Sequence, residues 1–250
     1  MTSDDYLRGL IRQYAVNAEG AEAAGNQIYP LLEKWSNGNL LRAEFSGSLA
    51  KGTGISLSTD ADIFLSLSSS TPGTLADMYT TLGNAVRAGG YPVRKQDVSI
   101  GTTVNGYSID LVPGRRQSQF GNEHSLYRNR TGTWTKTDVQ NHITTVSSSG
   151  RVDEIKLIKL WRTQHGLSFP SFYLELACLD ALRYARFGDL ATNTWNVLKY
   201  LRDNIEIVKL YDPANTNNAV SEDCTAAEKS NIASQARASL SKKTWVEVVW

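Results

Sequence analysis

Two aspartates one residue apart, Asp60 and Asp62, stand at the head of an apolar run at residues 63–67, and this arrangement constrains the chain more than any other. A strand repeats every two residues, so both carboxylates leave one face while Ala61 leaves the other. Two like charges held side by side repel. A divalent cation is the usual relief, and Mg²⁺ takes carboxylate oxygens together with phosphate oxygens of a substrate. Just upstream lies a Gly-Ser turn, Gly47-Ser48, followed by Lys51. Glycine permits close backbone approach, and amide donors with a hydroxyl suit a phosphate. A phosphate cradle beside metal-holding carboxylates describes nucleotide chemistry. The segment is not a Walker A loop, because Lys51 precedes Gly52 where that motif needs Gly-Lys-Ser/Thr.

A third carboxylate follows on a second strand. Residues 98–104 and 107–112 flank Asn105-Gly106, the two-residue turn most favoured between antiparallel strands. Asp110 lies on the returning strand, which Pro113-Gly114 is expected to end. Its neighbours Ile109, Leu111 and Val112 are apolar, so an unpaired charge there is costly. Three carboxylates drawn from two strands match what two-metal phosphoryl chemistry commonly uses.

Around this pair of strands the pattern reads as mixed α and β. Residues 4–35 are helical, with Ser3 or Asp4 as the cap, and Ser36-Asn37-Gly38-Asn39 is a break. Residues 40–46 form a short strand, and residues 74–88 a helix closed by Gly89-Gly90. Residues 115–137 read as irregular, with a hairpin signal around Arg130-Thr131-Gly132. Beyond them the chain is helical over 152–165, 171–187, 194–204 and 226–242. The division expected is an α+β lobe over 1–137, N-terminal helix included, and a helical lobe over 138–250.

Composition sets limits on partners. The 250 residues carry 26 Lys and Arg against 25 Asp and Glu, a balance unlike that of a protein that coats nucleic acid. Local basic clusters remain, with Arg115, Arg116, Arg128 and Arg130 placed to grip an acceptor. The two cysteines form no ligand or redox motif, and His124, His142 and His165 lack ligand spacing and read as structural or surface. The acidic, polar start and the lack of a run of ~20 apolar residues point to a cytoplasmic protein with no membrane partner.

The segment GSLAKGTGISLSTDADIFLSL closely resembles the nucleotidyltransferase signature of the DNA-polymerase-β-like superfamily. It looks most like the branch of CD-NTases, oligoadenylate synthases and cyclic GMP-AMP synthase, whose pattern is GS-x-x-K/R-G-T…D-x-D with a third aspartate later. SIDLVP resembles the third-carboxylate strand. EIKLIKLWRTQHGLSFPSFYLELA is similar to the paired helices that contact nucleotide, and YDPANTNNAV and HSLYRNRTGTWTKTDVQNH resemble segments of bacterial members. The resemblance implies a two-lobed nucleotidyltransferase fold, a mixed-sheet lobe with flanking helices plus a helical C-terminal lobe. It implies that Asp60, Asp62 and Asp110 are catalytic and hold two Mg²⁺ or Mn²⁺ ions. Gly47, Ser48, Lys51, Lys159, Ser171 and Phe172 would bind nucleotide, with Lys159 and Ser171 on phosphate and Phe172 stacked on the base. The implied activity joins nucleoside triphosphates into a short linear or cyclic oligonucleotide messenger, with pyrophosphate released, in antiphage signalling. An effector would then respond to the product rather than bind the enzyme. Two other readings stay open: a template-independent transferase acting on RNA 3′ ends or another macromolecule, and a nucleotide-binding pseudoenzyme. An activating ligand is a further partner of the first reading.

Overall fold

The computed structural model describes residues 2–57 and 60–250, so Ser58 and Thr59 of the 47–67 segment fall outside the described residues. The chain forms two compact units that interleave in sequence. One comprises Asn17–Lys51 and Thr59–Ile143; the other comprises Met1–Val16, Gly52–Ser58 and Thr144–Trp250. The sequence reading cuts the chain once, between residues 137 and 138.

The first helix, α1 (Ser3–Gln13), belongs to the helical unit. The sheet unit begins with α2 (Glu19–Ser36) and β1 (Leu40–Phe45), then a single turn, α3 (Gly47–Ala50). It continues through β2 (Ala61–Leu67), α4 (Leu75–Ala88), β3 (Arg94–Lys95) and β4 (Ile100–Val104). Then come β5 (Tyr107–Arg116), β6 (His124–Arg128) and β7 (Thr133–Thr137). The sheet order is β1-β2-β5-β4-β3, with β6 joined to β5 and β7 to β6. β2 and β5 run parallel; the other pairs are antiparallel.

Alternation along the strands decides which face is which. Ala61, Ile63 and Leu65 of β2, with Ile109 and Leu111 of β5, pack with Ile28 and Leu32 of α2 and Tyr79, Leu82 and Val86 of α4. The even-numbered residues of β2 and β5, Asp62 and Asp110 among them, therefore project from the other face. There Phe64 meets His124 edge-on at 4.9 Å, and His124 lies 2.8 Å from the Ser66 hydroxyl and 2.7 Å from the Asn122 carbonyl. This burial pushes the His124 pKa down.

The Asn105-Gly106 turn forms as expected, both residues having positive φ. β5 does not stop at Pro113-Gly114. Its pairing with β4 ends at Leu111 and that with β6 begins at Gly114, so the proline sits where the strand changes neighbours. The segment read as irregular becomes the tail of β5 and the β6–β7 hairpin, turning at Gly132.

In the helical unit α5 (Val139–Ser147) leads into α6 (Val152–Gln164), α7 (Ser171–Ala181), α8 (Leu190–Asn204) and α9 (Ala226–Leu240). Leu7 and Leu10 of α1 lie in one core with Ile158, Trp161, Tyr173 and Leu198. The single helix expected over 4–35 is two helices broken at residues 14–18. Thr2, not Ser3 or Asp4, caps α1 through a reciprocal pair with Asp5. Asp4 instead accepts the Leu190 and Ala191 amides at 3.2 and 2.8 Å, capping the start of α8. α7 ends earlier than residue 187 because the buried Arg151 guanidinium draws the Leu182, Ala185 and Arg186 carbonyls. Among the described residues, no helix is long and apolar enough to cross a membrane.

Candidate active site

The site is built on β2 and β5. Their parallel register sets Asp62 directly against Asp110. Neighbouring strands lie about 4.8 Å apart and paired residues share a face, so the two carboxylates are neighbours. Asp60, one step outside β2, is exposed. It nevertheless acts on Asp110: burial first, and then the Asp60 charge, raise the Asp110 pKa.

Gly47 begins α3 with φ +56°, and a Cβ built there would run into the Asp62 carboxylate. The Ser46 amide donates to the Asp62 carbonyl at 2.8 Å, which ties the turn to the strand. Gly47, Ser48 and Asp62 are thus assembled by one short piece of chain. Lys51 closes the turn and is buried.

Asp110 is held by residues that sequence reasoning did not single out. The Gln96 amide donates to Asp110 Oδ1 at 2.8 Å, and the Ser99 hydroxyl donates to Gln96 Oε1 at 2.9 Å. The Tyr79 hydroxyl fixes the Gln96 carbonyl at 2.7 Å. Arg94 lowers the Asp110 pKa by its charge, against the larger effect of burial, and bonds the Ser108 hydroxyl at 2.8 Å. Gly101 pairs with Asp110 across the β4–β5 ladder, and a Cβ there would lie 2.9 Å from Gln96 Nε2 and 3.1 Å from Asp110 Oδ1. A glycine inside an apolar strand was the one legible sign of this crowding; nothing marked Gln96.

These carboxylates suit a hard divalent cation. The donor set is oxygen only, and the unfavourable Asp60–Asp110 pairing is what a cation relieves. Among the described residues no three His, Cys, Asp or Glu side chains are already gathered around one point.

Lys159, Ser171 and Phe172 all belong to the helical unit. Lys159 is buried, donating to Glu175 Oε1 at 2.6 Å and to Thr53 Oγ1 at 2.8 Å. Thr53 in turn donates to Glu175 at 2.8 Å. The expected phosphate contact thus meets an ammonium already engaged by a buried carboxylate. Glu175 could have been noticed as a charge within the apolar stretch of α7. Ser171 Oγ accepts from Arg162 at 2.9 Å, and Phe172 packs half-buried on the helical core. Of the basic cluster, Arg115 donates to the Thr71 and Gly73 carbonyls, while Arg130 pairs with Asp97. The 212–215 stretch is a tight turn in which Asp212 accepts the Ala214 amide at 2.8 Å.

This architecture, an α+β arrangement with a mixed sheet and a helical unit, is the two-lobed nucleotidyltransferase fold of CD-NTases. Three of the matching solved structures illustrate the likeness. CdnC of E. coli MS115-1 in its CdnC:HORMA-deltaN complex is 19% identical, with 94% of this chain and 88% of that one covered and a TM-score of 0.77. The same organism's CdnC with ATP is 20% identical, covering 94% and 85%, with a TM-score of 0.70. The Bradyrhizobium diazoefficiens CD-NTase CdnG in complex with GTP is 14% identical, covering 95% and 91%, with a TM-score of 0.73. No family model matches the chain, and no curated protein matches it.

Proposed function

We propose that the protein is a metal-dependent nucleotidyltransferase that joins nucleoside triphosphates into a short linear or cyclic oligonucleotide, releasing pyrophosphate. The observation that carries this reading is the in-register pair Asp62–Asp110 with Gly47 pressed against Asp62. The nucleotide complexes of the structural neighbours, CdnC with ATP and CdnG with GTP, support the substrate class.

In this reading Asp60, Asp62 and Asp110 hold two Mg²⁺ or Mn²⁺ ions. When bound, the ions neutralise triphosphate charge and lower the pKa of an acceptor hydroxyl. Gly47 and Ser48 donate to phosphate oxygens, with Lys51 behind them. Gln96 holds the Asp110 carboxyl in one orientation, from which it would accept the proton of the attacking hydroxyl. Attack at the α-phosphorus then breaks the bond to the β-phosphate oxygen. Ser171 and Phe172 are proposed to meet phosphate and base. Lys159 is assigned the role of anchoring Thr53 and Glu175 in place of direct phosphate contact. Positioning and charge neutralisation supply most of the rate.

The test is incubation with labelled triphosphates and Mg²⁺ or Mn²⁺, with and without RNA, followed by phosphatase. A phosphatase-resistant small product is expected, and the Asp60→Asn/Asp62→Asn variant should fold normally and lose turnover by about 10³-fold or more. Label appearing only on added RNA favours the terminal-transferase reading, and full activity of the double variant rejects the site.

A further inference from the structure

One cavity contains none of the residues assigned above. It measures about 830 Å³ and lies wholly within the helical unit, between the start of α1, residues 191–199 of α8 and residues 242–246. Its size falls in the range of roughly 300–1,000 Å³ usual for small-molecule sites. Lys199, Lys242 and Lys243 line it, and among the described residues no Asp or Glu does. In a chain with 26 basic and 25 acidic residues overall, that is a marked local excess of one sign. None of the three ammonium groups forms an ion pair within 4.0 Å among the described residues. Glu247, close enough to Lys242 to feel its charge, is bonded by the Thr244 amide and hydroxyl at 3.1 and 2.8 Å.

The remaining wall is aromatic. Trp195 and Trp245 are half-buried and meet edge to face, with ring centroids 5.5 Å apart. Thr192 adds an exposed hydroxyl. A phosphate group wants point cations, which lysines supply, and a planar ring wants an aromatic wall. A simple anion would leave the tryptophans without purpose, and a neutral aromatic would leave the lysines so.

We infer that this cavity is a second ligand site, taking a nucleoside di- or triphosphate with its phosphates on Lys199, Lys242 and Lys243 and its base on Trp195 and Trp245. The inference does not depend on the transferase reading. Equilibrium dialysis of the full chain with labelled ATP in EDTA tests it. A Lys199→Glu/Lys242→Glu/Lys243→Glu variant should bind one ATP fewer per chain than the unaltered protein. A triple Lys→Gln variant should weaken that same site about tenfold or more. All three positions are exposed, so both variants should keep the original melting temperature. Loss of the transferase site would lower the count in every protein alike and leave the difference of one intact. Adenosine and tripolyphosphate should each compete at least ~tenfold less well than ATP, since each engages only half of the site. Equal stoichiometry in the folded variants, or tripolyphosphate competing as well as ATP, overturns the inference.

Discussion

Gln96 shows how much of a carboxylate site can rest on one neutral side chain. Its amide is fixed at both ends, by Ser99 on its oxygen and by Asp110 on its nitrogen. In the proposed reaction it touches neither substrate nor metal and acts only by aiming Asp110. Replacing Gln96 with Ala should cut kcat about tenfold or more while moving the nucleotide KM less than about threefold. Gln96→Glu should be worse, because it places a further negative charge beside Asp110. Steady-state kinetics separate the two parameters, and unchanged turnover in both variants removes Gln96 from the account. The carboxylates themselves were legible in sequence because period-two alternation and apolar flanks are local signals. Gln96 was not, since its role arises only when residues on β4 and β5 and the loop before them meet, with Gly101 leaving the space.

At the scale of elements, α6 and α7 are joined by a buried charge pair. Lys159 and Glu175 are almost fully removed from solvent, with side-chain exposures of 3% and 1%. Their attraction offsets a large desolvation cost, so removing Glu175 takes away the carboxylate that faces the buried Lys159 ammonium. Glu175→Ala should destabilise the protein by about 3–5 kcal/mol, read from a urea midpoint. A loss below about 1 kcal/mol would contradict the burial of the pair. β2 and β6 are joined by a different device, the neutral ring of His124 between Ser66 and Asn122. Burial holds its folded pKa below 6.5, so the unfolded chain takes up this proton first as pH falls. The increment is therefore nil above about pH 6.5 and grows more unfavourable below it. Melting temperature should fall more steeply with acid below pH 6.5 in the native protein than in His124→Gln; equal slopes would show that the ring titrates alike in both states. The element types were readable from periodicity, but their ends were not. α7 stops where Arg151 collects carbonyls, and β5 runs on where β6 replaces β4, both decided by distant partners.

The molecule as a whole is two units woven through each other along the chain. A cut at residue 137 looks natural in sequence because strands give way to helices there. It leaves Leu7, Leu10 and Ile55 on the wrong side, although all three lie in the helical core. A fragment spanning 138–250 should therefore lack a cooperative thermal transition, and adding α1 back as a peptide should not fully restore it, because Ile55 is still missing. A sharp transition for the bare fragment would show that the helical core closes without them. The order in which the chain leaves the ribosome follows from the same weave. α1 is made before the sheet unit, yet the helices that bury it are made after that unit. The sheet unit can close while synthesis continues, but α1 must wait, its leucines exposed, until α6, α7 and α8 have emerged.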